Sequence, residues 1–565
     1  MNINRVTVKF GGESGQGINT VGRMLTQSLN RLGLYTFSNR EYPSLIKGGV
    51  ASYQVDFANK QIFSSAKKTH ILCTLSEKSL HNYIFDLREN GIVVHDGKEI
   101  EFNQDEEIFI QKNNIHIIYL DSVKIAQEAG GTEIMANVVP LGYMWKILKL
   151  DANILVEEVL ELLESKKIDF DAEKACIFAG YNHPSYRETM GENITVPSTI
   201  PTRKLIMSGN EAIALGALAS GMRAYYSYPM TPATSILKFI GDTANETKVV
   251  VKQAENEITA ALMALGSMYM GTRALVATSG GGYDLMTEAI SCAGISETPL
   301  VIVLAQRIGA GTGVPTWTGS GDLYAAAKGG HGDFPRAVIA ISDVESAFTL
   351  IQKAFNIADT YQIPVILLTE KQIAESIYAV EKLPPTMRIE RGLNNKAERY
   401  QITDSGISPR WIPTKGLKPY ISTSDEHNEL GHSTEIASEV QKMSDKRERK
   451  MTQLEAEIPE PTYFGNNKAE VVFVGSGSPK NAVLDAISAG ENIGYISYEY
   501  IVPLKTNPLM KLANEGKRLI LIENNQTGQL GKLIKEKCGY EFKEKLLKYD
   551  GRPFFADDIL DYLNK

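Results

Sequence analysis

The middle third of the chain combines carboxylates, an arginine and small-residue loops in a pattern suited to acid–base chemistry on a small anionic substrate. Glu255 and Glu257 stand in QAENEI (253–258), where a short apolar run meets an alanine-rich helical stretch. A carboxylate at such a junction either caps the helix or serves as a functional acid. Arg307 follows another apolar run, in QRIGAGTGVPT (306–316). Its guanidinium can hold a substrate carboxylate through two hydrogen bonds, or pair with an acid inside the chain.

Three further loops follow or precede predicted strands nearby. In YPMTPAT (228–234), two prolines fix the backbone on either side of Met230 and Thr231. The segments TSGGG (278–282) and GHGDFPR (330–336) add glycine-rich turns. Since α/β sheets place ligand-contacting groups in loops that follow strands, these segments are candidates for one shared site.

Two segments near the N-terminus are candidates for anion binding. Gly15 and Gly17 lie in a glycine-rich link between a strand and a helix, where backbone N–H groups can point at an anion. A tight turn that needs glycine for close packing explains the same residues equally well. Lys47, in YPSLIKGG (42–49), is either a point charge for an anionic ligand or an exposed loop lysine.

The elements that must position these residues form an α/β pattern. Short apolar runs, such as 6–10, 274–278, 300–305, 365–369 and 471–475, alternate with helical stretches and predict buried, mainly parallel strands. Polar, proline-containing breaks divide the chain into units at 1–195, 200–385 and 466–565, with a linker region at 386–465. Inside that linker, the charge run KMSDKRERK (442–450) predicts a solvated helix face.

Composition excludes several classes of protein. The chain of 565 residues carries 59 basic and 67 acidic residues, a net charge of −8, which argues against nucleic-acid binding. Its 4 cysteines form no clustered motif for an iron–sulfur cluster or structural zinc and fit a reducing cytoplasm. Neither a signal-peptide core nor an apolar run of about 18 residues is present, so we expect a soluble, cytoplasmic protein without a membrane segment.

A second polar cluster lies in the linker region. Asp425, Glu426, His427 and His432 are residue types that can ligate a metal. A polar loop is the preferred interpretation, and we predict no metal site in this chain.

The ordered motifs YPMTPAT, QAENEI, TSGGG, QRIGAGTGVPT and GHGDFPR resemble the α subunit of 2-oxoacid:ferredoxin oxidoreductases, with the 2-oxoglutarate type as the nearest match. In that type a γ domain, with its glycine-rich loop and YPSLIKGG segment, is fused ahead of the α domain, as it is here. The resemblance extends to ENNQTGQL (523–530). It implies a γ domain, a pyrimidine-binding thiamine-fold domain and a domain like the C-terminal domain of transketolase.

The resemblance also implies a reaction. Such enzymes use thiamine diphosphate to decarboxylate a 2-oxoacid, transfer the acyl group to coenzyme A and reduce ferredoxin. A carboxylate hydrogen-bonded to the aminopyrimidine ring activates the cofactor. The family pattern assigns this role to Glu255, with Glu257 as the alternative, and we expect the group to be partly buried with a raised pKa. Thr231 and Arg307 match substrate-binding positions, and Lys47 matches a position near the substrate and coenzyme A. The remaining expected cofactor contacts are Tyr228, Pro229, Gly15 and Gly17.

Missing motifs point to a partner. The chain lacks the Gly-Asp-Gly…Asn pattern that anchors Mg²⁺ and diphosphate, and it lacks clustered cysteines. The resemblance therefore implies that a β subunit supplies Mg²⁺ and a [4Fe-4S] cluster, in an (αβ)₂ heterotetramer. Gly309–Gly313 (GAGTG) departs from the usual GPSTG, which leaves branched-chain or aryl 2-oxoacids open as substrates. A non-catalytic, nucleotide-binding assembly subunit is the alternative from a different functional class.

Overall fold

The computed structural model describes residues 5–44, 49–97, 99–395, 397–414 and 420–564. Three sheets flanked by helices form the molecule, and most neighbouring strands in the second and third sheets are parallel. The predicted α/β class with mainly parallel sheets is confirmed. Several strands begin and end where the apolar runs do, for example at Ala274–Thr278 and Val471–Gly475.

Within the residues that the structure describes, the N-terminal part contributes six strands and seven α-helices. In chain order they are β1 (Val6–Glu13), α1 (Ile18–Arg31), β2 (Tyr35–Glu41), β3 (Val50–Ala58), β4 (Thr69–Thr74), α2 (Glu77–Tyr83), β5 (Leu87–His95), α3 (Gln104–Lys112), β6 (His116–Tyr119), α4 (Ser122–Glu128), α5 (Val138–Ile147), α6 (Ala152–Leu163) and α7 (Phe170–Tyr181). Short 3₁₀ turns lie at Ile84–Asp86 and Glu133–Asn137.

The middle part follows with an alternation of strands and helices. It comprises β7 (Leu205–Ser208), α8 (Gly209–Ala219), β8 (Ala224–Ser227), α9 (Thr234–Asp242), α10 (Ala244–Thr247), β9 (Val250–Gln253), α11 (Glu257–Tyr269), β10 (Ala274–Thr278), α12 (Gly280–Ile295), β11 (Leu300–Gln306), α13 (Leu323–Lys328), β12 (Ala337–Ala340), α14 (Val344–Tyr361), β13 (Pro364–Glu370), α15 (Lys371–Glu375) and β14 (Ile377–Val380).

The C-terminal part begins after the long helix α16 (Ala437–Glu457). Its elements are β15 (Thr462–Gly465), β16 (Val471–Gly475), α17 (Pro479–Ala489), β17 (Ile493–Ser497), β18 (Tyr500–Val502), α18 (Asn507–Asn514), β19 (Arg518–Glu523), α19 (Gln529–Cys538), β20 (Glu544–Leu547) and α20 (Ala556–Leu563).

Strands cross between the sheets and join the three parts. The first sheet has the order β6-β5-β4-β1-β3-β2-β14-β7, so that two strands from the middle part extend the N-terminal sheet. The second, β18-β12-β13-β11-β10-β8-β9, takes its edge strand from the C-terminal part. The third is β15-β17-β16-β19-β20. Backbone hydrogen bonds therefore connect the parts, and the domain boundaries chosen from sequence stay predictions.

The charge run on α16 is only partly solvated: Lys442, Asp445 and Glu448 are exposed as predicted, whereas the opposite face of the helix is buried. Lys446 and Lys450 are fully buried and Arg447 is nearly so. Both lysine ammonium groups lie 2.5 Å from the buried carboxylate of Glu297, which follows α12. This shared counter-ion offsets the free-energy cost of burying the two ammonium groups. The helix is thereby fixed to the second sheet instead of lying free in a linker.

The polar cluster at 425–432 is a loop partly packed against the protein, with Asp425 and His432 exposed. His427 is fully buried and its ring lies 4.2 Å from that of Tyr400, while Glu426 pairs with Arg447 of α16. In the described part of the chain, no group of three or more His, Cys, Asp or Glu side chains is placed to hold a metal ion. None of the helices that the structure describes has the length and apolar character needed to cross a membrane.

Candidate active site

The carboxyl ends of β8, β9, β10 and β11 bring the predicted loops together at one edge of the second sheet. These strands are parallel neighbours in the order β11-β10-β8-β9. They end at Gln306, Thr278, Ser227 and Gln253 respectively. Loops that leave the carboxyl ends of adjacent parallel strands form the ligand crevice of α/β sheets. The motifs chosen from sequence are therefore close in space.

Glu257 is the buried carboxylate of this edge. It is the first residue of α11 and is 3% exposed, and its Oε1 has no hydrogen-bond partner among the described residues. It does not cap the helix, because the Asn256 side chain accepts the Thr259 N–H at 3.0 Å. A buried carboxylate oxygen without a partner is costly, which favours a bound ligand as its partner.

Glu255 lies on the other side of the helix start. It is exposed and accepts a hydrogen bond from the Thr259 hydroxyl at 2.5 Å, which holds the pKa of Glu255 below its ordinary value. The expected burial and raised pKa of Glu255 are therefore wrong. The cause is local: Asn256 takes the capping position, so Glu257 turns inward and Glu255 faces solvent.

The glycines at the start of α12 make room for carboxylates. A Cβ atom at Gly282 would lie 2.5 Å from Glu257 Oε1 and 2.0 Å from Thr278 Oγ1. At Gly280 it would lie 2.7 Å from Asp322 Oδ2. The glycine-rich turn is thus required for two carboxylates to approach the same helix terminus. The Ser279 hydroxyl, buried beside them, also has no partner among the described residues.

Arg307 and Thr231 lie together, in an arrangement suited to a substrate carboxylate. Arg307 is 7% exposed and its Nη1 donates to the Thr231 carbonyl oxygen at 3.0 Å. The Thr231–Pro232 peptide bond is cis. Nε and Nη2 of Arg307 donate to no other described residue. One edge of the guanidinium therefore remains available for a carboxylate.

The other predicted contacts lie in different surroundings. Tyr228 is 39% exposed just beyond β8, and Pro229 beside it is half-buried. Lys47 lies outside the described residues. Gly15 and Gly17 precede α1 with φ of +101° and +78°, and the Asn137 side chain donates to the carbonyl oxygen of Gln16 between them. Their roles as cofactor contacts stay predictions.

Gly15 and Gly17 border a cleft of about 770 Å³ in the N-terminal part. Lys166 and Lys167 stand at its rim, and Glu173 lines it in a buried position. Burial raises the pKa of Glu173 to about 7. Lysines beside a helix N-terminus are suited to an anion, but Asp96, Glu133 and Asp169 also line the cleft, so anion binding by the glycine loop stays a prediction.

Sequence reasoning missed Asp322 and Ser279. Ser279 sits inside TSGGG, whereas Asp322 follows the glycine-rich stretch 319–321 and lies outside the motifs named above. The available signal was their position after strands, but no spacing rule indicates which of a loop's polar side chains turns inward. Asp322 is half-buried, and burial with the nearby Asp284 charge raises its pKa to about 6.

A partly exposed apolar surface borders the site. Ile258 and Leu262, one turn apart on α11, are 43% and 50% exposed, and Leu285 on the adjoining α12 is 49% exposed. Large apolar side chains grouped next to a functional edge are typical of a protein–protein contact. We call these three residues the α11–α12 apolar surface.

Comparisons with known proteins found related sequences along the whole chain. Residues 215–447 match the family model described as pyruvate flavodoxin/ferredoxin oxidoreductase, thiamine diphosphate-binding. Residues 7–182 match the model described as pyruvate ferredoxin/flavodoxin oxidoreductase. The "2-oxoacid:ferredoxin oxidoreductase subunit alpha" of Saccharolobus solfataricus is 31% identical over 98% of this chain and 96% of its own. The "2-oxoglutarate oxidoreductase subunit KorA" of Mycobacterium tuberculosis is 26% identical over 99% and 91%.

A solved structure is also similar to this chain over nearly its whole length. It is the 2-oxoglutarate:ferredoxin oxidoreductase from Magnetococcus marinus with 2-oxoglutarate, coenzyme A and succinyl-CoA bound. Its TM-score to this chain is 0.91 at 26% identity, and the match covers 99% of both chains. The match runs through the whole architecture described above, including the fused N-terminal part.

Proposed function

The chain belongs to the 2-oxoacid:ferredoxin oxidoreductase family, and we propose that it is the γ–α subunit that binds and orients the 2-oxoacid and activates thiamine diphosphate. It is an enzyme subunit of that family. The observation that carries the proposal is the buried, unpartnered Oε1 of Glu257 at the start of α11. The proposed reaction is oxidative decarboxylation of the 2-oxoacid to an acyl-CoA, with reduction of ferredoxin.

The residues around Glu257 fit the aminopyrimidine end of thiamine diphosphate. The orphaned carboxylate oxygen supplies the acceptor that this ring needs, and Gly282 leaves the space for it. When bound, thiamine diphosphate supplies the nucleophilic carbon and the electron sink for decarboxylation. Glu257 holds and exchanges the proton at the ring, and the buried Ser279 hydroxyl offers a second polar contact. We therefore assign to Glu257 the role first given to Glu255.

Arg307 and Thr231 form the substrate side of the site. The free edge of the Arg307 guanidinium binds the 2-oxoacid carboxylate, while its bond to the Thr231 carbonyl fixes its direction. We propose 2-oxoglutarate as the substrate. Support comes from the KorA relatives, whose names specify 2-oxoglutarate, and from the Magnetococcus marinus structure, which has 2-oxoglutarate and succinyl-CoA bound. Branched-chain and aryl 2-oxoacids are the alternatives to be tested.

We propose that a β subunit covers the α11–α12 apolar surface. That surface adjoins Glu257, so a partner seated there closes the site from water. We further propose that Mg²⁺ and the [4Fe-4S] cluster lie on the β subunit. Electrons then leave through that subunit to ferredoxin. The assembly proposed is an (αβ)₂ heterotetramer.

We propose that the cleft beside Gly15 and Gly17 takes the phosphate-bearing end of coenzyme A. Lys166 and Lys167 provide positive charge at its rim, and α1 directs its N-terminus there. Coenzyme A is the acyl acceptor of the proposed reaction. Gly49 lies near this region, because its carbonyl oxygen accepts the Ser14 N–H at 3.3 Å, and a role for Lys47 with coenzyme A stays part of the proposal.

Co-expression with the β subunit tests the proposal. We expect coenzyme A-dependent dye reduction only when both chains are present, with 2-oxoglutarate the best of a panel of 2-oxoacids. Glu257→Gln is expected to lower kcat about 10²- to 10⁴-fold, the usual range for a lost acid–base group. Glu255→Gln, two residues away and exposed, is the matched control and is expected to retain activity.

The outcomes separate the alternatives. Turnover of another 2-oxoacid keeps the mechanism and changes the substrate. Stable assembly without turnover of any 2-oxoacid favours the non-catalytic, nucleotide-binding subunit. Loss of activity in Glu255→Gln with full activity in Glu257→Gln contradicts the assignment of the acid.

A further inference from the structure

The C-terminal part holds the loop that carries Asp322 in place. The Ser320 N–H donates to the Asn524 carbonyl at 2.9 Å, and Asn525 Nδ2 donates to the Ser320 carbonyl at 3.2 Å. The Gln529 side chain donates to the Gly321 carbonyl at 2.7 Å and accepts the Tyr324 N–H at 2.9 Å. Backbone bonds on both sides of Asp322 therefore fix its position.

The Asp322 side chain does not cap the helix that it precedes. It occupies the N-cap position of α13, yet its side chain caps nothing. Its own N–H donates to Gln306 Oε1 at 3.0 Å, which ties it to the end of β11, next to Arg307. The carboxylate instead lies against Gly280, at the first turn of α12. Among the described residues it has neither a hydrogen-bond donor nor an ion-pair partner.

Two charged groups act on the Asp322 carboxyl from neighbouring elements. Asp284 on α12 repels its negative charge, and Arg307 at the end of β11 attracts it. Burial is the larger influence, and the pKa of Asp322 rises to about 6. Arg307 in turn is influenced by Asp322 without forming a described ion pair with it.

We propose that the protonation state of Asp322 controls how tightly Arg307 binds the substrate carboxylate. This role rests on the proposed function of Arg307. Ionised Asp322 opposes a second negative charge at Arg307 and competes for the guanidinium. Protonated Asp322 does neither. Binding of the 2-oxoacid carboxylate is therefore accompanied by uptake of one proton from solvent onto the Asp322 carboxyl. The loop contacts from Asn524, Asn525 and Gln529 make the C-terminal part the element that positions this group.

The test uses the assembled αβ enzyme and the pH dependence of KM and kcat for 2-oxoglutarate. In the parent enzyme KM is expected to rise between about pH 6 and pH 8, by at most about tenfold per pH unit, because a single proton is involved. Asp322→Asn is expected to have a lower KM at about pH 7.5 and a flat profile, with kcat changed less than about threefold. A pH-indicator dye is expected to report proton uptake on mixing with 2-oxoacid only in the parent.

Asp284→Asn provides an independent test of the proposal, because this variant leaves Asp322 unchanged. Removing its negative charge lowers the pKa of Asp322, so the rise in KM should begin at lower pH while kcat stays unchanged. A parent KM that does not vary with pH overturns the proposal. The proposal is also overturned if KM of Asp322→Asn varies with pH as it does in the parent, or if this variant has a lower kcat with an unchanged KM. Absence of any 2-oxoacid turnover in the parent refutes the proposed function instead, which keeps the two failures distinct.

Discussion

Replacing Glu297 with glutamine tests the buried charge cluster that holds α16 to the second sheet. Glu297 is the shared counter-ion of Lys446 and Lys450, and all three side chains are fully buried. The change keeps the shape of the side chain but leaves two ammonium groups without their carboxylate. Removing one partner of a buried pair costs about 3–5 kcal/mol, because the remaining charge stays desolvated.

Proton release from Lys450 accounts for part of this cost. Lys446 keeps hydrogen bonds to the Tyr400 carbonyl and the Ser408 hydroxyl at 3.2 and 3.0 Å, whereas Lys450 keeps only a 3.4 Å contact to the Gln362 carbonyl. Burial already lowers the pKa of Lys450 to about 8, from an ordinary value of 10.5. A neutral Lys450 costs roughly 4 kcal/mol at about pH 7.5 relative to a protonated lysine in the unfolded chain, and the parent already bears roughly 3 kcal/mol of this. Loss of the Lys450 proton therefore adds about 1 kcal/mol, and the rest of the expected cost comes from Lys446, which stays charged without its carboxylate.

Thermal unfolding of the purified protein at about pH 7.5 and pH 9.5 is the assay. A loss of about 3–4 kcal/mol corresponds to a fall of roughly 6–16 °C in the transition that includes α16. The unfolded chain binds more protons than the folded variant in this pH range, so the variant gains stability as the pH rises. The parent gains only above the Lys450 pKa of about 8. The difference in stability between Glu297→Gln and the parent should therefore become smaller towards pH 9.5.

A matched control and a clear contrary result accompany this test. Glu448→Gln changes an exposed carboxylate on the same helix and is expected to leave the transition within about 1 °C, as surface substitutions usually do. Glu297→Leu combined with Lys446→Met and Lys450→Met removes all three charges and should recover most of the loss. A transition for Glu297→Gln that matches the parent at pH 7.5 would refute the argument.

Two further predictions concern the proposed site. Gly282→Ala places a Cβ atom 2.5 Å from Glu257 Oε1, so we expect loss of thiamine diphosphate binding, measured by calorimetry on the assembled enzyme, with the chain still folded. Lys166→Ala combined with Lys167→Ala removes the positive rim of the 770 Å³ cleft. We expect KM for coenzyme A to rise about tenfold or more, with KM for the 2-oxoacid unchanged, because each lost charge contact is worth about 1 kcal/mol or more.

Each of these two predictions has its own control. Gly241→Ala, on α9, puts a Cβ where no atom lies within 4 Å and should leave cofactor binding intact. Lys174→Ala removes an exposed lysine on α7 that does not line the cleft. Unimpaired cofactor binding in Gly282→Ala contradicts the placement of the aminopyrimidine beside Glu257. Equal effects on both substrates in the lysine variant contradict the coenzyme A cleft.

The strands and the site loops could be predicted from the sequence, because both depend on local patterns. The apolar run at 518–523 is the strand β19, and the loops around Thr231 and Arg307 meet because parallel strands place their carboxyl ends together. The exchanged strands could not be predicted. The pairing of β14 with β2 joins residues more than 330 positions apart, as in Tyr378 with Phe37, and no local pattern specifies that partner.

Two expectations failed, each for its own reason: that the whole charge run is solvated, and that Glu255 is buried with a raised pKa. A charge run is assigned to solvent because burying charge is costly, but the counter-ion Glu297 lies about 150 positions before Lys446 and is not apparent from the run itself. The choice between Glu255 and Glu257 depended on one helix boundary. Asn256 is a strong capping residue, so the cap preference could have placed the helix start at Glu257 and its side chain inward.

The first turn of α12 explains why the site needs contributions from distant parts of the chain. Glu257 reaches that turn at Gly282 from the preceding helix, and Asp322 reaches it at Gly280 from a loop that the C-terminal part holds. A helix N-terminus stabilises both negative charges, but it does so without bonding either carboxylate fully. The two carboxylates therefore differ in their surroundings. Glu257 is buried with an oxygen free to accept a hydrogen bond from the proposed aminopyrimidine ring, and Asp322 lies near Arg307 with a raised pKa. Since the C-terminal part fixes only the second, movement of that part is expected to alter substrate affinity while leaving cofactor activation unchanged.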